Sequence, residues 1–251
     1  MRVVLLGTGT SYPDSNRVQS GILVETENTR VLLDIGSGVL HRLTQLQFDI
    51  RLLDAVFISH FHIDHCADFL PLCQSLWLSG YDRTLKLFAP PSVREWSRGV
   101  NDIAFTYLRE KVLIETTLLQ ERHVVPLGDL SIATSPTLHG NYDTRAFRVE
   151  HGGKMLTYSS DTAPCRDIIE LAEGTDILIH ECNWLDGVHP EGMHTSPSEL
   201  ARIAEEIDPS KIVLTHVSPE IVENKDKVIE IVSRRTNAEV ILGEDLMILE
   251  L

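Results

Sequence analysis

Ser59-His60-Phe61-His62-Ile63-Asp64-His65 packs four metal-binding side chains into six residues, directly after the apolar run Leu52-Leu53-Asp54-Ala55-Val56-Phe57-Ile58. That run is short and β-branched enough to read as a buried strand. The chain must therefore leave the strand at its C-terminal end, present polar donors there, and enter the helical pattern that begins near Ala67. Three imidazoles and a carboxylate suit zinc or a similar borderline cation. Neighbouring side chains cannot all aim at one centre, so two ions are the simpler reading. A lone histidine in a solvated turn would bind nothing, but H-x-H-x-D-H after a hydrophobic strand is a far more specific pattern.

Those residues resemble the signature of the metallo-β-lactamase superfamily, and the resemblance runs along nearly the whole chain. Leu6-Gly7-Thr8-Gly9-Thr10 is similar to that family's opening strand and turn, and Leu32-Leu33-Asp34-Ile35-Gly36 to its "LxDxG" element. Later ligand candidates stand in the family's order: His139 in Thr137-Leu138-His139-Gly140, Asp161 in Tyr158-Ser159-Ser160-Asp161-Thr162, and His216 in Val213-Leu214-Thr215-His216-Val217. A single Asp or His at a strand end more often serves a turn; their joint occurrence in order argues otherwise. The resemblance implies that His60, His62 and His139 hold one ion and that Asp64, His65 and His216 hold the second, with Asp161 bridging. Zinc fits these donors first, and manganese or iron accept the same set.

Within the superfamily the chain is most similar to ribonuclease Z. Leu178-Ile179-His180-Glu181-Cys182-Asn183-Trp184 resembles that family's "HEATF" element, and His194-Thr195-Ser196 with Leu214-Thr215-His216-Val217-Ser218 its "HST…LTHIS" element. The resemblance implies a proton-relay pair of Glu181 and His194 beside the metals. On the residues alone, Glu181 reads as a loop acid and His194 as a neighbour of a helix cap.

The fold implied is α/β, a four-layer αββα sandwich of the metallo-β-lactamase type, with residues 1–251 as a single hydrolase domain; spacing alone gives only α/β. Segments 2–7, 20–26, 30–34, 53–59, 85–89, 112–118, 130–135, 145–150, 154–158, 176–180, 211–215 and 239–242 read as strands. Helices are expected from Gly36 to about Gln47, from Ala67 to Leu78, from Ser92, and near 164–172, 197–206 and 221–234. No apolar run approaches the roughly 20 residues of a membrane helix. The four cysteines form no C-x-x-C pair, which suits neither a thiolate zinc site nor a disulfide scaffold and points to a reducing cytoplasm. Cys66 and Cys73, seven apart on one helix, should face the core.

The resulting expectation is a dinuclear-metal hydrolase that cleaves phosphodiesters by attack of a bridging hydroxide. Asp64 would also accept the water's remaining proton, and His194, oriented by Glu181, would protonate the leaving oxygen. The net charge of −15 disfavours tracking along a polyanion, because such binding depends on Lys and Arg neutralising phosphates. Two divalent ions would still hold a single phosphodiester. Arg17 and Arg145 are candidate phosphate contacts. His139 and Asp161 are only 22 positions apart, too close for the protruding arm with which ribonuclease Z of the longer bacterial kind grips tRNA. The expected substrate is thus a small phosphodiester or an RNA 3′ end. The alternatives are a tRNA 3′-trailer endoribonuclease lacking the arm, and a thioester or lactam hydrolase on the same metal frame. The resemblance also implies a homodimer, although no stretch of sequence marks an interface.

Overall fold

Two seven-stranded sheets stack face to face in the computed structural model, which describes residues 1–251. The first takes β1 (Arg2–Gly7), β2 (Gly21–Glu25), β3 (Arg30–Leu33), β4 (Ala55–Phe57), β5 (Thr84–Ala89) and β6 (Leu113–Leu118), and is completed by the C-terminal β14 (Met247–Glu250) beside β1. The second runs β7 (His123–Leu127), β8 (Leu130–Pro136), β9 (Arg145–His151), β10 (Lys154–Tyr158), β11 (Ile177–Glu181), β12 (Lys211–Thr215) and β13 (Glu239–Leu242) in simple spatial order.

Period-two alternation sorts the side chains of both sheets. Val3, Leu5, Phe57, Phe147, Leu156 and Tyr158 point into the shared interior, where Phe57 stacks on Phe88 at 4.4 Å. The opposite set is also buried. Val4, Leu6, Leu32 and Val56 lie under helices α1 (Val39–Gln45) and α3 (Phe69–Leu78), with the one-turn α2 (Ile63–Cys66) between them in sequence. Ala146 packs on α5 (Arg166–Leu171), and Leu178, Ile212 and Leu214 meet three further helices: α6 (Pro197–Ile207), α7 (Pro219–Glu223) and α8 (Lys225–Ser233). Each layer thus finds a partner for its apolar face, the condition for a four-layer αββα sandwich. Cys66 and Cys73 are both buried on α3's side, as their spacing implies, and burial pushes each thiol up to about 12.

The strands that matter most run parallel. β3 pairs with β4 and β4 with β5; β10 pairs with β11 and β11 with β12. Their C-terminal ends open on one edge of the sandwich, where ligands of parallel α/β sheets bind. No helix is long and apolar enough to cross a membrane.

Four local features depart from the sequence reading. β7 contains Pro126 and escapes a propensity count, yet it is an edge strand, where a missing N–H is tolerated. β14 is a four-residue run that gains its structure by pairing with β1. The helix read over 221–234 is interrupted at Asn224, which caps α8. After α4 (Val93–Ser97) the chain continues through a π-helical turn, Arg98–Ala104, that the sequence does not signal.

Candidate metal centre

The apolar strand β4 ends in a turn held open by the neighbouring strand. Asp34, just past β3, accepts from the Ser59 amide at 2.7 Å, Ser59 Oγ at 2.9 Å, His65 Nδ1 at 2.8 Å and the Tyr158 hydroxyl at 2.9 Å. The carboxylate is fully buried, and these donors replace its water. Asp34 adopts φ 61, a left-handed conformation that costs a non-glycine residue roughly 1–2 kcal/mol. Next to it Gly36 is required by close approach, since a Cβ there would overlap the Asp64 carbonyl. Ile35 N then donates to His65 O at 2.9 Å, locking the metal loop onto the strand end.

This scaffold fixes which ring nitrogen each histidine presents. His65 Nδ1 donates to Asp34, so its Nε2 faces the centre. Ser59 Oγ spends its hydrogen on Asp34 and therefore accepts from His60 Nδ1 at 3.0 Å, which frees His60 Nε2. His139 Nδ1 donates to the Met193 carbonyl at 2.6 Å. Such outer hydrogen bonds are what orient metal-ligating imidazoles.

The seven residues singled out from sequence come together in two adjoining clusters. Ligand atoms of His60, His62, His139 and Asp161 lie within 4.8 Å of one another, as do those of Asp64, His65 and His216. His60 Nε2 stands 2.9 Å, and His139 Nε2 3.2 Å, from His62 Nδ1. Nitrogens about 3.3 Å apart are what tetrahedral zinc with 2.0 Å bonds demands. Asp161 is buried between the clusters. Its Oδ1 is 3.2 Å from His65 Nε2 and 3.5 Å from His216 Nε2; its Oδ2 is 3.6 Å from His139 Nε2 and 3.9 Å from His60 Nε2.

In the first cluster the histidines are held neutral, whereas in the second burial of His65 is outweighed by the charges of Asp161 and Asp34, which hold it well above the usual imidazole range. Burial and then the neighbouring His65 hold His60 well below the usual imidazole range; burial and then His139 lower His62; burial lowers His139. Neutral imidazoles are the form that binds metal. His65 Nε2 and Asp161 Oδ1 are buried without a hydrogen-bonding partner. Although 3.2 Å apart, they do not meet the geometry of a hydrogen bond to each other. Buried polar atoms of this kind call for an ion. The donor set of imidazole and carboxylate fits divalent metal.

Glu181 and His194 lie beside the clusters. Glu181, at the end of β11, is fully buried rather than a solvated loop acid; its Oε1 accepts from His194 Nδ1 at 2.8 Å and from Thr162 N at 2.8 Å, and its Oε2 from Thr195 N at 3.2 Å. Burial works against the His194 imidazolium, but the Glu181 charge and hydrogen bond outweigh it and push the pKa up to about 9. Ligand atoms of His194, Asp161 and His216 lie within 4.8 Å of one another.

Neither arginine proposed for phosphate is available. Arg145 is buried and donates to the carbonyls of Leu119, Gln120 and Thr144 and to Asp143. Arg17 donates to Thr8 Oγ1 at 2.5 Å and to the Gly243 carbonyl at 2.6 Å. Both hold loops in place. Conversely, the sequence reading gave no individual role to Asp34, to Ser11, whose hydroxyl donates to Asp64 Oδ2 at 2.6 Å, or to Asn183, 3.4 Å from His216 Nδ1.

The sequence matches the family described as "Anti-Pycsar protein Apyc1" over residues 1–236. The chain belongs to the Anti-Pycsar protein Apyc1 family. It is a metallo-β-lactamase superfamily protein of the ribonuclease Z-like kind. The metallo-β-lactamase fold protein YhfI from Bacillus subtilis superposes with a TM-score of 0.87 at 26% identity, covering 100% of this chain and 99% of that one. Human tRNase Z, short form, shares the fold with a TM-score of 0.80 at 21% identity, covering 100% of this chain and 99% of that one. A ribonuclease Z of Methanosarcina acetivorans is 25% identical over 301 aligned positions, covering 100% of the chain and 98% of the relative. Since the Apyc1-family chain has 251 residues, that relative carries insertions. Between His139 and Asp161 this chain has only a short loop and the β9–β10 hairpin, closed by Gly152-Gly153, so no arm emerges there.

Asp34→Ala should be the most destabilising single change near the centre. It strands a buried His65 ring N–H, a tyrosine hydroxyl and a backbone amide, a loss of about 3–5 kcal/mol. Urea unfolding of the metal-free variant checks this, and a change under 1 kcal/mol would contradict the anchoring role.

Proposed function

We propose that this protein is a dinuclear-metal phosphodiesterase acting on small phosphodiesters. The observation that carries the reading is the buried Glu181–His194 pair, hydrogen-bonded at 2.8 Å and placed beside two clusters of divalent-metal donors. A thioester expels a thiolate, which departs without a proton, whereas expelling an alkoxide from phosphorus calls for an oriented acid.

His60, His62 and His139 would hold one ion, Asp64, His65 and His216 the other, and Asp161 would serve both. When bound, two divalent ions supply a nucleophilic water near neutral pH and neutralise charge on the phosphoryl oxygens. The protein's own groups do the rest. Asp34, Ser59 and Met193 fix the imidazoles, and Asp64, held by Ser11, offers a carboxylate to the water's proton. His194 hands its proton to the leaving oxygen while Glu181 keeps the ring aligned and charged. The net charge of −15 and the armless His139–Asp161 connection favour small substrates.

A second reading, trimming of tRNA 3′ trailers, draws on the full-length similarity to ribonuclease Z of Methanosarcina acetivorans. The zinc-loaded protein should be offered bis-p-nitrophenyl phosphate, 2′,3′- and 3′,5′-cyclic nucleotides and a trailer-bearing tRNA, alongside a cephalosporin and a glutathione thioester. Turnover of small diesters without trailer cutting is expected. Single-site trailer cutting would establish the second reading, and turnover of only the thioester or lactam would overturn both.

The protein is also proposed to be a homodimer. Ile63, Leu78, Phe105 and Tyr107 expose apolar surface around a cavity of about 790 Å³ between α3 and the π-helical turn, and Ile103, two residues before Phe105, is exposed as well. An exposed patch of this kind usually marks an interface. Sedimentation should give a dimer that Ile103→Glu converts to monomer; a monomeric wild type would dismiss the assignment.

A further inference from the structure

A cleft of about 490 Å³ has His194 in its wall, together with Leu138, Trp184, Val188 and His189. None of the seven metal-donor residues lines it. Trp184 and His189 stack with ring centroids 4.5 Å apart and planes 7° from parallel, and Trp184 meets His194 edge-on at 5.0 Å. The loop that carries them is pinned. His189 Nε2 donates to Leu185 O at 2.5 Å, Gly140 N to Gly192 O at 2.7 Å, and the His139 ring to Met193 O at 2.6 Å. Val188 is fully exposed and Leu138 is 43% exposed, so the cleft shows water an apolar and aromatic surface that the chain does not cover.

Its charges narrow the occupant. Glu191 and Glu199 line the cleft against a single guanidinium, Arg202. Glu199 is held as a carboxylate acceptor by the Ser196 amide at 2.9 Å and hydroxyl at 2.8 Å. With His194 protonated, the two carboxylates balance two cations, so the wall offers no net positive charge to hold a further phosphate and accepts an uncharged, flat group. Position supplies the connection: if His194 protonates the leaving oxygen, whatever that oxygen carries lies on the His194 side.

We propose that this cleft binds an uncharged nucleoside carried on the leaving oxygen of the diester, with its base against the Trp184–His189 stack. The assignment rests on the phosphodiesterase reading. It adds that the enzyme chooses which of the two ester bonds to break. Water's oxygen joins phosphorus, the bond from phosphorus to the nucleoside oxygen breaks, and that oxygen takes the His194 proton.

The methyl diester of 2′-deoxyadenosine 5′-phosphate tests this with one substrate. Breaking the nucleoside side releases deoxyadenosine and methyl phosphate; breaking the other releases the nucleotide and methanol. The two leaving alkoxides are chemically similar, so the product ratio reports orientation and is insensitive to general loss of activity. The zinc-loaded wild type should favour deoxyadenosine by roughly tenfold to a hundredfold, the range that base–aromatic stacking spans. Trp184→Ala, and Val188→Trp filling the mouth, should bring the ratio toward one, and Trp184→Phe should restore it. A wild-type ratio near one or favouring methanol, or a ratio unmoved by both cleft variants, overturns the proposal. If the wild type leaves even bis-p-nitrophenyl phosphate intact, the phosphodiesterase reading itself has failed. Quenching of Trp184 fluorescence by deoxyadenosine, read in a Trp77→Phe/Trp96→Phe background, then decides the cleft alone, and absence of quenching rejects it.

Discussion

Asp161→Asn should reduce the protein from two bound divalent ions per chain to one or none, and lower diester turnover by at least the roughly 10²–10³-fold that loss of one preorganised electrostatic group costs. The geometry gives this residue its leverage. One carboxylate oxygen faces His65 and His216 and the other faces His60 and His139, all between 3.2 and 3.9 Å away. Asp161 is the one carboxylate that stands within 4 Å of histidine nitrogens of both clusters. Asparagine keeps the volume but removes the charge that would compensate two cations in a buried site. The variant should also lose most of the thermal stabilisation that zinc gives the wild type. An ion present at a hundredfold excess over its Kd stabilises the fold by about 2.7 kcal/mol, so a variant that binds one ion fewer forfeits a shift of that size. Metal analysis after gel filtration, with melting curves in zinc and in chelator, measures both. Two ions held as tightly as in the wild type would remove Asp161 from the bridging position.

How much of this could be read from residues alone varies with the kind of constraint involved. The strands of both sheets alternate or run apolar as their burial demands, and the metal motif follows β4 as a strand-end cluster should. The later donors were legible only as an ordered set, because His139, Asp161 and His216 are each unremarkable at a strand end. Their meeting is a property of the topology: β4, β8, β10 and β12 bring their C-terminal ends to one edge although the residues are up to 156 positions apart in sequence. Asp34 offered a signal that goes beyond a motif. An aspartate following Val31-Leu32-Leu33 in a buried strand must find partners, since an unpaired buried carboxylate is untenable. Which partners it finds is not local information, for Tyr158 lies 124 residues away.

Arg17 and Arg145 show the opposite failure. Charge next to a presumed phosphate site suggested contact, but each guanidinium is spent on carbonyls that loop geometry leaves without partners. Backbone satisfaction outweighs ligand binding here, and no spacing rule reveals it. The same holds for the π-helical turn after α4 and for β7, where pairing rather than propensity decides the structure.

His194→Ala should cost roughly 10²–10⁴ in turnover on diesters with poor leaving groups, the contribution of a single oriented acid, and much less on p-nitrophenyl esters, whose leaving group departs without a proton. That contrast separates an acid from a residue that merely packs. The pH dependence carries the same information with a definite sign. His194 has its pKa raised from 6.5 to about 9 because the Glu181 charge prevails over burial. A raised imidazole pKa means the proton is present throughout the neutral range, and the ion pair stabilises the fold fully below about pH 6.5 and ceases to do so as pH rises through about 9. In Glu181→Gln the carboxamide can still accept the His194 hydrogen bond, but burial acts on the ring without the compensating charge. The His194 resonance of the metal-free protein should then titrate at lower pH, and the alkaline limb of turnover on poor leaving groups should move down with it. The p-nitrophenyl reaction should keep its profile. Equal losses on both ester types, or a limb unmoved by Glu181→Gln, would make His194 a packing residue and return the choice between diester and acyl chemistry to the metals alone.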